Sequence, residues 1–254
     1  MNTVYMKNLA IGQGRPKICI PICGRTKEEI IEEAKKILEL PADLVEWRGD
    51  WYEEIFNISC LKEVLIELRQ ILENIPFLFT IRSIQEGGER PITPENYLKL
   101  ANIVCESGCI DALDVELFMD AYVNPLIIEK AHACGIKVIA SNHDFRKTPS
   151  KDELTRRMIL MDEMGADILK IAVMPKTTSD VLELLTATDE MGRLYSDKPV
   201  ITMAMGALGL ISRLAGETFG SALTFGAGEK ASAPGQIPAK QLKDVLDIIH
   251  VHIK

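Results

Sequence analysis

The sequence repeats one pattern eight times: a short apolar run is followed by a longer segment in which apolar residues recur with helical spacing. The apolar runs predict strands at residues 17–22, 44–48, 77–82, 110–116, 137–141, 167–173, 199–205 and 221–225. The segments between them predict helices at residues 26–40, 59–73, 94–106, 123–134, 150–164, 178–191, 208–215 and 238–250. This alternation is typical of a parallel sheet covered by helices. Eight units spaced by about 30 residues, with no Gly-x-Gly-x-x-Gly motif after the first strand, favour a closed (β/α)8 TIM barrel over an open sheet.

Residues 1–16 precede the first repeat, and they alternate weakly between apolar and polar types, with Gly12 and Gly14 near Asn8. This pattern predicts an N-terminal β-hairpin that closes the bottom of the barrel. No linker or low-complexity tract interrupts the 254 residues, of which 47% are hydrophobic. We therefore expect one α/β domain over residues 1–254, with residues 1–16 as a hairpin extension.

Charge and composition argue against several classes of partner. A formal net charge of −8 does not suit a nucleic-acid or anionic membrane surface. No run of ~18 apolar residues predicts a membrane span, and the first residues lack the order of a signal peptide, so a cytoplasmic protein is expected. The cysteines lack the C-x-x-C spacing of a zinc site and are expected to be small buried hydrophobes: Cys19, Cys23, Cys60, Cys105, Cys109 and Cys134.

Lys170 lies in the middle of the sixth predicted strand, which is apolar on both faces. Burial disfavours the charged form of an amine, and a neutral amine attacks carbonyl carbon. One interpretation is therefore a lysine that forms a Schiff base with a substrate. The alternative is a lysine whose stem packs in the core while its ammonium reaches solvent at the end of the strand.

Other polar residues fall on the same inward face if Lys170 fixes the alternation along each strand. They belong to the second, third, fourth, fifth and seventh units: Glu46, Arg48, Arg82, Asp114, Glu116, His143, Met203 and Met205. Because active sites of such barrels lie at the C-terminal ends of the strands, this convergence predicts a functional site there. The alternatives are structural ion pairs, Glu46 with Arg48 or Arg82 with Glu86, and core packing by the methionines.

His143 is the natural candidate for a proton carrier, because histidine ordinarily titrates near pH ~6.5. A carboxylate from Glu86 or Asp114 could fix its tautomer. Glu46, Asp114, Glu116 and His143 could also hold a divalent metal ion. The neighbouring lysine and arginines oppose that interpretation, so we expect neither a metal nor a cofactor.

The sequence from Asp114-Val115-Glu116-Leu117 to Val138-Ile139-Ala140-Ser141-Asn142-His143-Asp144 resembles the active-site motif of type I 3-dehydroquinate dehydratases. The resemblance extends over nearly the whole chain, in the order and spacing of the family. It includes Glu46-Trp47-Arg48, Thr80-Ile81-Arg82 with Glu86, Lys170, Met203-x-Met205-Gly206, Ser212-Arg213 and Ser232-Ala233-Pro234-Gly235-Gln236.

The resemblance implies a lyase that dehydrates 3-dehydroquinate to 3-dehydroshikimate in the shikimate pathway of aromatic amino-acid biosynthesis. It implies a Schiff base on Lys170, proton transfer by His143 and orientation of His143 by Glu86. Substrate contacts are implied for Glu46, Arg48, Arg82, Arg213, Ser232, Gln236, Met203 and Met205, and the loop 226–236 would close over the substrate. The resemblance also implies a homodimer. Pro21 departs from the family pattern, in which a small hydroxyl residue is frequent, so a substrate contact from this position is in doubt.

Two other functions fit parts of the sequence. A class I aldolase shares the barrel and the lysine, and Gly226 and Gly228 could imitate its phosphate-binding loop. A non-catalytic barrel that binds a ligand is the second alternative, but it would need neither a nucleophilic lysine nor a proton carrier.

Overall fold

Eleven strands are present in the part of the chain that the computed structural model describes, residues 2–229 and 232–253. In chain order they are β1 (Val4–Met6), β2 (Leu9–Ile11), β3 (Lys17–Ile22), β4 (Leu44–Arg48), β5 (Phe77–Thr80), β6 (Ala112–Glu116), β7 (Lys137–Asp144), β8 (Ile168–Val173), β9 (Val200–Ala204), β10 (Leu223–Ala227) and β11 (Ile237–Pro238). From β3 to β9, each strand pairs in parallel with its neighbours in sequence within this run, and β10 pairs in parallel with β3 on one side and with β11 on the other.

The sheet closes on itself between β9 and the residues before β10. Val200 and Ser221 form a parallel bridge, and the backbone N–H of Ala222 donates to the carbonyl oxygen of Val200 at 2.8 Å. Because β10 pairs with β3 on its other side, the eight strands form a barrel. The predicted (β/α)8 architecture is thus confirmed.

The helices that follow the strands are α1 (Lys27–Ile37), α2 (Ile58–Leu72), α3 (Pro94–Glu106), α4 (Val123–Ala133), α5 (Lys151–Glu163), α6 (Thr178–Glu190), α7 (Leu210–Leu214), α8 (Gly216–Phe219) and α9 (Ala239–His252). Several of them begin where a side-chain oxygen accepts a hydrogen bond from the first turn, as Thr26, Thr93 and Thr177 do. Their apolar faces pack on the outer surface of the barrel in one continuous core. No helix among the described residues is long and apolar enough to cross a membrane.

Strands β1 and β2 form the predicted antiparallel hairpin. Its Met6 and Ile11 are buried in the inner core of the barrel, with apolar residues from the first half of the strands: Cys19, Leu44, Leu78, Ala112, Ile139, Ile168 and Ile201. The hairpin therefore closes the bottom of the barrel, and polar chemistry is left to the opposite end. Four cysteines are buried as expected, whereas Cys60 is partly buried and the expectation is wrong for Cys134, which is exposed.

Candidate active site

A cavity at the C-terminal mouth of the barrel collects the residues that the sequence singled out. Its empty volume is about 470 Å³. It is lined by the predicted residues Glu46, Arg48, Arg82, Glu86, His143, Lys170, Met203, Met205, Arg213, Ser232 and Gln236, together with Gly87, Phe145, Ala172, Phe225 and Ala233. Asp114 and Glu116 lie directly beneath and bind the basic side chains of the cavity.

The Lys170 amine is buried at the cavity floor, with 4% of the side chain exposed. Its Nζ lies 3.2 Å from Asp114 Oδ2, 3.5 Å from Glu46 Oε1 and 4.6 Å from the ring centre of Phe225. The ammonium does not reach solvent, which rules out the interpretation of a lysine that only packs its stem. Nor are its surroundings apolar, because two carboxylates compensate a positive charge on Nζ.

Arg82 holds the acidic residues together from the end of β5. Its Nη2 donates to Asp114 Oδ1 at 2.8 Å, and its Nη1 donates to Glu116 Oε1 at 3.0 Å and to Ser141 Oγ at 2.9 Å. Arg82 lies 3.6 Å from Glu86, so the expected pair between them is present as one contact among several. Lys170 and Arg82 occupy the oxygens that a metal ion would need, and no cluster of metal ligands occurs among residues 2–229 and 232–253.

His143 pairs with Glu86 rather than with Asp114. Its Nδ1 lies 3.0 Å from Glu86 Oε2, and its backbone N–H donates to the same oxygen at 2.8 Å. Burial lowers the pKa of His143 well below its usual value, and the positive charges of Arg82, Lys170 and Arg48 act in the same direction. The imidazole is therefore neutral near pH 7, with one ring nitrogen carrying a hydrogen.

Burial raises the pKa of Glu86 to about 8, helped by the negative charge of Glu116. Arg82 and the N–H donors of Asn142 and His143 oppose this rise. While Glu86 is protonated, its carboxyl O–H donates to Nδ1 of His143. The ring hydrogen then lies on the other nitrogen, Nε2, which acts as a donor. Once Glu86 is ionised, the hydrogen lies on Nδ1 and Nε2 becomes free to accept a proton.

Arg48 has a partner that the sequence did not suggest. Its guanidinium donates to both oxygens of Asp50, at 2.9 Å and 2.8 Å, instead of pairing with Glu46. Asp50 is fully buried and also accepts hydrogen bonds from the backbone N–H groups of Arg82 and Glu89, at 3.2 Å each. Asp50 therefore holds both ends of the segment between Arg82 and Glu89, which contains Glu86. The only signal in the sequence was an acidic residue two positions after Arg48, which is too common to be informative.

Arg213 is a buried cation without an acidic partner in the described part of the chain. It lies in α7 with 1% of its surface exposed, and burial alone lowers its pKa to about 10. Its Nη2 donates to the carbonyl oxygen of Pro234 at 3.1 Å, its Nη1 contacts Met203 Sδ at 3.8 Å, and its Nε has no hydrogen-bond partner in residues 2–229 and 232–253. Arg213 therefore makes no structural ion pair with an acidic residue in the part of the chain that the structure describes.

The end of the predicted loop lies over the cavity. Ser232 and Gln236 bind each other, since the Ser232 N–H donates to Gln236 Oε1 at 2.8 Å and Gln236 Nε2 donates to Ser232 Oγ at 3.0 Å. Between them, the carbonyl of Pro234 accepts a hydrogen bond from the Gly206 N–H at 3.1 Å. Residues 230 and 231 of this loop lie outside the described residues.

Three further positions have clear surroundings. Pro21 does not line the site; it borders a separate cavity with Cys23 and Lys36. Gly226 lies in β10, where a Cβ would come within 3.1 Å of Ala239, so its small size has a packing reason. Phe225, which faces Lys170, was missed because a phenylalanine in an apolar strand resembles core.

Fold and cavity together define a barrel enzyme with a buried lysine and a histidine–glutamate pair at its catalytic face. The family model of type I 3-dehydroquinase matches residues 18–253. The chain therefore belongs to the type I 3-dehydroquinase family.

Individual relatives agree with this assignment. The chain is 52% identical over 250 residues to 3-dehydroquinate dehydratase of Clostridioides difficile strain 630, covering 98% of each. It is similar to the crystal structure of the Clostridium difficile type I enzyme with covalently modified comenic acid, with a TM-score of 0.96, 51% identity and 98% of each chain covered. The Geobacillus kaustophilus 3-dehydroquinate dehydratase superposes with a TM-score of 0.97 at 39% identity, over 100% of this chain and 98% of the other.

Proposed function

We propose that this chain dehydrates 3-dehydroquinate to 3-dehydroshikimate through an imine on Lys170, with His143 as the proton carrier. The observation that carries this proposal is one cavity that contains the buried Lys170 amine, the His143–Glu86 pair and the unpaired Arg213. The covalently modified ligand in the Clostridium difficile relative supports a nucleophilic side chain.

In the first step, the ammonium of Lys170 gives up one proton and its nitrogen attacks the substrate ketone; that proton returns as the addition product loses one water, which leaves a protonated imine. The imine is an electron sink, so the proton on the adjacent carbon becomes far more acidic. The Nε2 atom of His143 removes that proton, and the electron pair forms an enamine.

In the second step, the enamine expels the β-hydroxyl group, which leaves as water with the proton returned by His143. The conjugated imine that remains is hydrolysed by one water, which releases the product and restores the Lys170 amine. One water is thus lost overall. The neutral state of His143 in the free protein suits its role as the base in the first step.

Arg213 would bind the substrate carboxylate, because a guanidinium fork matches a carboxylate and no acidic residue in the described part of the chain pairs with it. The ring hydroxyls would contact polar groups on the walls, Glu46, Arg48 and Arg82. Ser232 and Gln236 would close the cavity from the loop, and Met203 and Met205 would provide its apolar wall.

Borohydride reduction in the presence of 3-dehydroquinate tests the imine. We expect the protein to gain the substrate or product minus one water plus two hydrogens, with the modified peptide containing Lys170. The same experiment on Lys170→Ala should give no adduct. An adduct with a shortened carbon skeleton would indicate an aldolase, and no adduct with the wild-type chain would indicate a binding protein.

Three further proposals concern metal dependence, oligomeric state and cellular location. Turnover should be unchanged by EDTA, because the imine would take the role of a metal electrophile, and an activity restored by a divalent ion would contradict this. We also propose a homodimer and a cytoplasmic location, which sedimentation and cell fractionation would test.

A further inference from the structure

Glu86 is held from the side opposite His143 by an amide outside the cavity. Asn142 Nδ2 donates to Glu86 Oε1 at 2.8 Å. Asn142 lies between Ser141 and His143 on β7, so its side chain leaves the strand on the face covered by helices. There its Oδ1 accepts a hydrogen bond of 2.7 Å from Arg157 Nη1, which belongs to α5.

The orientation of the Asn142 amide follows from the chemistry of Arg157. A guanidinium can only donate, so the amide atom that faces it must be the oxygen, and the NH2 group must face Glu86. Arg157 is itself fixed, because its Nε donates to Glu153 Oε1 at 2.8 Å and its guanidinium lies 5.6 Å from the ring centre of Phe118.

We propose that Arg157 is a positioning residue: acting through Asn142, it keeps Glu86 able to accept the Nδ1 proton of His143, which leaves Nε2 free to take the substrate proton. This proposal rests on the proposed role of His143 as base. It extends the site beyond the cavity, since Arg157 does not line it.

The orientation of the Asn142 amide matters because its NH2 group and its oxygen have opposite effects on the protonation of Glu86. An NH2 group stabilises the carboxylate, whereas a rotated amide would place its oxygen against Glu86 Oε1 and favour the protonated acid. The other charged or titratable groups that act on the pair come from the neighbouring strands and the loop after β5: Arg82, Glu116, Lys170 and Arg48. None of these groups lies on α5, so a change at Arg157 alters the amide and leaves them in place.

In Arg157→Ala the Asn142 amide is free to rotate, and Glu86 should keep its proton to higher pH. His143 then carries its hydrogen on Nε2 and cannot act as a base. We expect kcat/KM at pH 7 to fall by about tenfold, as for one hydrogen bond to a charged group. The rising limb of the pH profile should move to higher pH, and activity should recover in alkaline buffer.

The chain provides a matched control. Arg156 also pairs with Glu153, at 2.7 Å, but 55% of its side chain is exposed, and its guanidinium donates to the two Glu153 oxygens, whereas it is Arg157 that donates to Asn142. Arg156→Ala should therefore leave kcat/KM and its pH profile unchanged. Arg157→Lys keeps a donor near Asn142 and should recover part of the loss.

A second measurement does not depend on turnover. The ring nitrogen shifts of His143, assigned against His143→Ala, report which nitrogen carries the hydrogen, and we expect Nδ1–H in the wild type above about pH 8 and Nε2–H in Arg157→Ala at the same pH. An unchanged tautomer and pH profile in folded Arg157→Ala would overturn the positioning role. A changed tautomer with unchanged kcat/KM would instead contradict the role of His143 as base, and with it the proposed mechanism.

Discussion

Two arginines line the same cavity, but one is paired with a carboxylate and the other is not. Arg48 donates to both oxygens of the buried Asp50, whereas among the described residues Arg213 has only a carbonyl and a thioether as partners. A buried cation without a counter-charge costs stability, while removal of one partner from a buried pair leaves the other uncompensated. The two positions should therefore respond to the same substitution in opposite ways.

Arg213→Met should raise the melting temperature and lower kcat/KM by about tenfold to a few hundredfold, the value of one charged hydrogen-bonded contact of ~1.5–3 kcal/mol. Arg213→Lys should preserve part of the activity, because lysine keeps the charge without the fork. Melting curves and steady-state kinetics on one preparation measure both effects.

Arg48→Met is the control for this prediction. It should lower the melting temperature, because Asp50 would lose its buried partner. If Arg213→Met instead lowered stability and left substrate affinity unchanged, Arg213 would be a structural residue and not a substrate ligand.

The raised pKa of Glu86 should make the free energy of unfolding depend on pH. The folded value of about 8 exceeds the ordinary value of 4.5, so between these pH values the folded chain holds a proton that the unfolded chain has released. The contribution of Glu86 to stability is fully present below pH 4.5 and is lost as the pH rises through about 8, with a slope near 1.4 kcal/mol per pH unit.

Glu86→Gln should remove this slope. The lowered pKa of His143 acts in the opposite direction in both proteins, so the difference in free energy of unfolding isolates Glu86. Urea denaturation between pH 5 and about pH 8.5 measures it. A difference that stays constant over that range would show that the folded carboxyl titrates normally.

At the scale of elements, the segment Ser232–Gln236 is held over the cavity by its backbone. Gly235 has φ +80, and a Cβ there would lie 2.5 Å from the carbonyl oxygen of Gly206. Gly235→Ala should therefore displace the segment and break the contact of Pro234 with Arg213. We expect kcat/KM to fall by about tenfold to hundredfold, because small displacements of binding groups are costly, with a larger change in KM than in melting temperature.

Gly108 separates this effect from backbone strain alone. It has φ +66, but nothing lies within 4 Å of the position of its Cβ. Gly108→Ala should lower stability by about 1 kcal/mol and leave kinetics unchanged. Equal kinetics for both variants would mean that the segment does not close the cavity in the active protein.

Most elements could be predicted because short-range physics determines them. Apolar runs and capping residues such as Thr26 and Thr177 specify where strands and helices begin. The ends of strands were less predictable. β7 extends past residue 141 because His143 and Asp144 still pair with Ala172 and Val173 of β8, and ladder hydrogen bonds do not depend on side-chain polarity. β10 begins at Leu223, two residues later than predicted, and Ser221 instead forms an isolated bridge to Val200 of β9.

At the scale of the whole molecule, the residues that face the cavity and the pairing of His143 with Glu86 could be predicted from the barrel's alternation and the family resemblance, whereas the other partners described above could not. Asp114 and Glu46 were expected on the same face as Lys170, but the alternation along the strands did not indicate that both would pair with its amine. Arg157 of α5 acts on Glu86 through the Asn142 amide of β7. Such pairings depend on rotamers and on elements distant in sequence, which no local pattern encodes.

The two ends of the barrel have different roles. The hairpin closes one end with buried apolar residues, and the cavity with the polar residues opens at the other. Ile11 is fully buried beneath the barrel, whereas Tyr5 of the same hairpin is 60% exposed. Ile11→Ala should lower the free energy of unfolding by about 2–5 kcal/mol with kcat unchanged, and Tyr5→Ala should change it by less than about 0.5 kcal/mol. Urea denaturation and steady-state kinetics measure the two quantities. If Ile11→Ala left global stability unchanged, the hairpin would open independently of the barrel, and its closure of the bottom would contribute nothing to the fold.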